Sequence, residues 1–161
     1  MKKILILIFL SLFACKQQTN DINKLENRIK ALENQLANSY KPGFGELMSS
    51  IQAHHVKLWF AGVNKNWKLA DFEIHEINEA LADILKFQKD RKESKLIDMM
   101  NPALDSVSLA IKNKKTDFFK KSYSSLTKTC NDCHLSTEFE YNIVKIPNEQ
   151  QFSNQDFKIN P

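Results

Sequence analysis

The sequence predicts an all-α chain: an antiparallel four-helix bundle, preceded by a signal peptide and a short heptad-patterned helical stalk. Three observations predict it. Apolar residues recur at steps of three and four through four stretches between Phe44 and Cys133, and through one stretch before them. That spacing lines one face of a helix. The 161 residues hold 3 Gly and 4 Pro against 26% charged residues, a composition of helix formers rather than of short strands and turns. The breaks between the periodic stretches are short, which makes successive helices antiparallel neighbours.

Residues 1–14 read as a lipoprotein-type signal peptide. Lys2 and Lys3 form a basic start, and Ile4 to Phe13 is an apolar run of ten. A helix that spans a bilayer needs about 20 such residues, so the run is too short for that and suits an export signal. Leu12-Phe13-Ala14-Cys15 resembles the lipobox of bacterial lipoproteins, in which the cysteine is lipidated and becomes the mature N-terminus. The competing reading is an ordinary cleaved signal. Lipidation of Cys15 also accounts for the odd third cysteine.

Residues 15–41 form a tether and a stalk. Lys16 to Asn20 is polar and flexible. Ile22, Leu25, Ile29, Leu32 and Leu36 then follow at steps of 3, 4, 3 and 4. This is a heptad seam with Ile, Ile and Leu at a and Leu at d, a pattern that favours two parallel strands and so a homodimer. A coiled coil is firmly read from about three to four heptads, and about two and a half are present. A single amphipathic helix packed on its own domain is the equal alternative. Asn38-Ser39-Tyr40-Lys41-Pro42-Gly43 ends the pattern.

Residues 42–138 carry the bundle. The first helix is expected from about Phe44 to Gly62, with Phe44, Met48, Ile51, His55, Leu58 and Trp59 on one stripe. Met48 and His55 are seven apart and project within about 20° of each other. Gly62 to Asn66 reads as a connecting loop, with Asn66 able to cap the second helix. That helix runs from about Trp67 to Phe87. His75 points away from its apolar face, toward water. Glu73 lies near that face, where it either pairs with a basic group or reaches solvent. Gln88 to Lys95 reads as a charged linker, a solvated loop or a frayed helix end. The third helix holds Ile97, Met100, Leu104, Val107 and Ile111. Pro102 kinks it or restarts it, with Asn101 as cap and Pro102 at the first helical position. The fourth starts near Thr116 or Asp117 and carries Phe119, Tyr123, Leu126 and Cys130. Residues 139–161 read as an extended tail laid over the bundle.

The chemistry sits at the end of that fourth helix, in Cys130-Asn131-Asp132-Cys133-His134. Cys-x-x-Cys-His is the attachment signature of a c-type haem. Two cysteines one turn apart share a helix face, so their thiols can add to two vinyl groups as thioethers. His134 then follows in position to give an imidazole nitrogen to the iron. A redox dithiol would want a strand–helix–strand setting, and a zinc site would want a second ligand pair; the sequence has neither. A disulfide suits an exported chain but leaves His134 unexplained.

A four-helix bundle with this motif late in its last helix resembles the cytochrome c prime class, over roughly Phe44 to Thr137. Lys57-Leu58-Trp59-Phe60-Ala61-Gly62 with Asn66-Trp67 is similar to bacterial relatives of that class. Small c cytochromes of the mitochondrial type carry the motif near their N-terminus and fit poorly. The resemblance implies one covalent haem c on Cys130 and Cys133 with His134 as proximal ligand. Some members of the class leave the distal side open and bind NO or CO. Others ligate the iron with a Met early in the first helix, where Met48 stands. His55, on the same stripe, is the alternative distal ligand, and Met100 is a weaker candidate.

Three functions are expected in turn. The first is a membrane-tethered electron carrier facing the periplasm or cell exterior. Lys114, Lys115, Lys120, Lys121 and Lys128 crowd the fourth helix, where a solvated face is the plainer reading and a docking face for an acidic redox partner the functional one. The second is a gas-binding or sensing haem protein with an open distal site. The third is a haem-free scaffold lipoprotein with a Cys130–Cys133 disulfide. No nucleophile–base or carboxylate pair stands at a persuasive spacing, so catalysis beyond weak peroxidase-like activity is not expected. The formal net charge is +4, and no nucleic-acid motif is present.

Overall fold

Helical periodicity in the sequence becomes helix in the structure. The computed structural model describes residues 21–37, 39 and 41–159, and no strand occurs among them. The signal peptide expected over 1–14, the expected lipidation of Cys15 and the expected tether over 16–20 fall outside the described residues. The chain divides into two compact units, Met1–Lys41 and Pro42–Pro161. In the first, α1 covers residues 21–37, and its seam from Ile22 to Leu36 is exposed. No described helix is long and apolar enough to cross a membrane.

The second unit runs α2 (Phe44–Val63), α3 (Trp67–Phe87), a 3₁₀ helix (Ser94–Met100), α4 (Asn101–Lys112) and α5 (Thr116–Ser136). Helix α2 packs along α3 and α4 along α5, while α3 meets α4 and α5 meets α2. The apolar stripes meet between them: Leu58, Ile84, Val107, Phe119 and Tyr123 are fully buried. Each such side chain contributes on the order of 1.5–3 kcal/mol by leaving water.

Three junctions differ from the sequence reading. Gly62, expected to open a loop, is a buried residue within α2. The Phe119 ring lies so close over it that a Cβ there would meet the ring at 2.1 Å. The glycine is thus required for close packing rather than for chain reversal. Pro102 restarts the third helix, as one of the two expected outcomes. The cap, however, is Met100, with Asn101 already helical and the segment before it wound as the 3₁₀ helix. The expected solvated loop after α3 turns inward. Glu93 is 5% exposed and Ser94 2%. Arg91 holds both Glu93 carboxylate oxygens, at 2.6 and 3.2 Å, and the Ser94 hydroxyl donates to the Gln88 carbonyl at 2.7 Å. Burial of that carboxylate is tolerable because both of its oxygens are paired.

Three helices end in the same manner. After α2, α4 and α5 the next-but-one residue, Lys65, Lys114 or Glu138, has a left-handed φ of 60°, 53° or 68°. Its N–H and the following one return to carbonyls of the last turn: Lys65 to Gly62 and Asn66 to Ala61, Lys114 to Ile111 and Lys115 to Ala110, Glu138 to Leu135 and Phe139 to His134. This is the Schellman arrangement, normally built on glycine; a chain with 3 Gly builds it three times on charged residues.

The tail belongs to the second unit, and no helix occurs among its described residues 139–159. Phe157 is buried against Phe60, with ring centres 5.7 Å apart. Lys57 Nζ sits 4.8 Å over the Phe152 ring.

Candidate functional site

A cavity of about 320 Å³ opens between α2, the 3₁₀ helix, the end of α5 and the tail. Its walls bring together Met48 and His55 from α2, Met100, and Cys130, Cys133 and His134 from α5. The rest of the lining is mostly apolar, with Phe44, Ile77, Leu81, Ile97 and Leu126 among it. Residues distant in sequence thus share one chamber, within the size range of small-molecule and cofactor sites.

Each member has a distinct environment. Cys130 and Cys133 are free thiols. Burial first, then the neighbouring Cys133, pushes the Cys130 thiol up to about 12. Burial, with the Glu93 carboxylate adding to it, also raises Cys133. Both thiols stay protonated at neutral pH, the opposite of the thiolate that a thioredoxin-type dithiol uses. Among the described residues no group of three or more His, Cys, Asp or Glu stands close enough to hold a metal ion.

His134 presents one nitrogen in a defined state. Its Nδ1 lies 2.6 Å from the carbonyl oxygen of Asn142. A carbonyl only accepts, so Nδ1 carries a proton, and in the neutral ring the lone pair is then on Nε2. Metal-ligating histidines commonly carry this second bond.

His55 is differently placed. It is 4% exposed, and both ring nitrogens are engaged: Nδ1 with the Tyr123 hydroxyl at 2.9 Å and Nε2 with the Thr127 hydroxyl at 3.0 Å. Each hydroxyl also reaches a backbone carbonyl, Tyr123 that of His55 at 2.8 Å and Thr127 that of Tyr123 at 3.0 Å, so both ring nitrogens of the neutral imidazole have a partner in either tautomer. The two rings stack at 4.5 Å. Burial lowers His55 from its ordinary range to about 4, and burial raises Tyr123 far above its own. Ligation of a metal by His55 would break this network, whereas Met48 has no hydrogen bond to give up.

Further histidines and the lysines of α5 lie outside the cavity. His54 points to α3, where its Nδ1 is 2.6 Å from the buried Glu73 carboxylate, so that of the two outcomes expected for Glu73 the structure shows the basic partner and not solvent. His75 is exposed and pairs with Glu79 at 3.2 Å. Lys114, Lys115, Lys120, Lys121 and Lys128 are exposed, and Lys128 is tied to Asp132 at 2.6 Å. Sequence reasoning missed Glu93, Asn142 and Val144 as cavity residues. Glu93 carried a faint signal in Arg91, two residues earlier. The tail residues carried none, because their order comes from hydrogen bonds rather than from an apolar period. No family model matches this chain, and neither a curated protein nor a solved structure matches it.

Proposed function

We propose that the chain is an exported c-type haem protein whose helices α2 to α5 form an antiparallel four-helix bundle, and that its function is electron transfer. The observation that carries the reading is the convergence of Cys130, Cys133, His134 and Met48 on one largely apolar cavity. The donor set suits a haem. Two protonated thiols would anchor it through thioethers, His134 Nε2 would ligate the iron from one side, and Met48 would approach from α2. The chemistry supplied by a bound haem is one-electron exchange at its iron, and a thioether ligand raises its potential. Asn142 holds the His134 proton on Nδ1, and the apolar walls limit water. The bonds already made by His55 favour Met48 over it as distal ligand.

On this reading the signal over 1–14 and a lipidated Cys15 tether the protein to the outer side of a bacterial membrane. The exposed lysines of α5 would face an acidic redox partner. The α1 seam would pair with a second copy in parallel, where Arg28 at a g position faces Glu33 of the partner subunit at an e position.

Visible spectra of the haem-loaded protein, ferric and ferrous, with and without CO, test the reading. Low-spin spectra insensitive to CO, lost in Met48→Ala and kept in His55→Ala, are expected. High-spin spectra that shift with CO would replace electron transfer by gas binding. A chain that runs without haem stain on a denaturing gel, after expression with haem-attachment machinery, would remove the haem reading altogether.

A further inference from the structure

The attachment motif leaves its two middle residues unspecified, yet one of them makes a paired contact. Asn131 Nδ2 donates to the Val144 carbonyl at 2.8 Å, and its Oδ1 accepts from the Val144 N–H at 2.8 Å. One primary amide thus satisfies both backbone groups of one tail residue, as an adjacent strand would. Two residues before Val144, the Asn142 carbonyl meets His134 Nδ1 at 2.6 Å. Before that, Asn142 N–H donates to the Phe139 carbonyl at 2.9 Å, and Phe139 N–H donates to the His134 carbonyl at 2.8 Å. The strap over 139–144 is therefore fastened at its start by the cap of α5 and at its end by Asn131. Between these two points it presents one carbonyl to the imidazole.

We propose that Asn131 is a positioning residue for His134. By fixing Val144 it holds the Asn142 carbonyl against Nδ1, and so keeps the ring in the tautomer that leaves Nε2 free. Only a side chain with a donor and an acceptor at this reach does so. Aspartate offers acceptors alone and sets a charge against the Val144 carbonyl. The consequence for iron ligation rests on the haem reading; the tautomer and the strap contact do not.

The test is long-range nitrogen–proton NMR of His134 in the full chain with both thiols free and no haem, at about pH 8, above the ordinary histidine range. The wild-type ring is expected to carry its proton on Nδ1. Asn131→Ala is expected to give mixed tautomers and to speed amide exchange at Val144 at least about tenfold. Val144→Pro removes the donated N–H from the other side. It should give the same tautomer shift with Asn131 intact. Slow exchange at Phe119 shows that a variant is folded, and if Asn131→Ala unfolds, Val144→Pro decides. An unchanged Nδ1 tautomer in a folded variant overturns the proposal. A chain that attaches no haem overturns the functional reading and leaves this result standing.

Discussion

His55 illustrates how burial fixes the state of one residue. Its folded-state pKa of about 4 lies below the ordinary 6.5, so the unfolded chain binds the extra proton first. Stability contributed by the neutral ring is therefore fully present above pH 6.5 and is lost as the pH falls toward 4. A shift of that size corresponds to about 3 kcal/mol. Urea unfolding of the haem-free chain across this interval should lose about that much relative to His55→Gln, in which the titrating ring is absent. Equal pH slopes for the two proteins would contradict a buried neutral imidazole. That His55 and Met48 share a stripe was legible in the sequence, because seven residues make nearly two turns. The partners of His55 were not legible: Tyr123 and Thr127 lie 68 and 72 positions away. Glu73 is the converse case. A carboxylate on an apolar stripe signalled a need for a partner, and only the α2–α3 packing identifies it as His54.

Among the elements, the helices were the most legible part. The reading of α3 from Trp67 to Phe87 matches its observed span, and the Asn66 side chain accepts from Leu69 N–H at 3.3 Å as its cap. Gly62 was misread because glycine both ends helices and lets them approach closely, and sequence alone does not separate the two uses. The distinction is measurable. An exposed Gly→Ala change within a helix gains up to about 1 kcal/mol. At Gly62 the new methyl meets Phe119, which Trp59, Trp67 and Tyr123 hold in place. Overpacking of this kind costs about 1–3 kcal/mol. Gly62→Ala should therefore lower the unfolding free energy by about 1–2 kcal/mol in denaturant titration, and a stabilised variant would show that the Phe119 ring can yield. The tail was read as extended, but the fastening of the strap over 139–144 was not legible. The strap has no apolar repeat, and its path is set by Asn131 and His134, side chains of another element.

For the whole molecule, the two units answer to different forces. The unit from Pro42 to Pro161 has a buried core of its own, whereas α1 leaves Leu25 and Leu36 60% and 73% exposed. A lone helix of this length is marginal in water, so pairing of the stalk is where its apolar seam gains most. A chain beginning at Lys16, after the proposed signal and lipidation site, should sediment as two copies. Ile29→Lys, which sets a charge at an a position, should reduce it to one; a wild-type monomer would leave the stalk as a simple spacer. On the proposed reading, the order of these parts along the chain also bears on how the protein would mature. A polypeptide exported N-terminus first would deliver Cys130, Cys133 and His134 before residues 142–144. Until those arrive the cavity would lack the wall that Asn142, Ile143 and Val144 supply, and an attachment enzyme would reach the thiols from that side. The strap would then arrive as a door hung after the room is furnished.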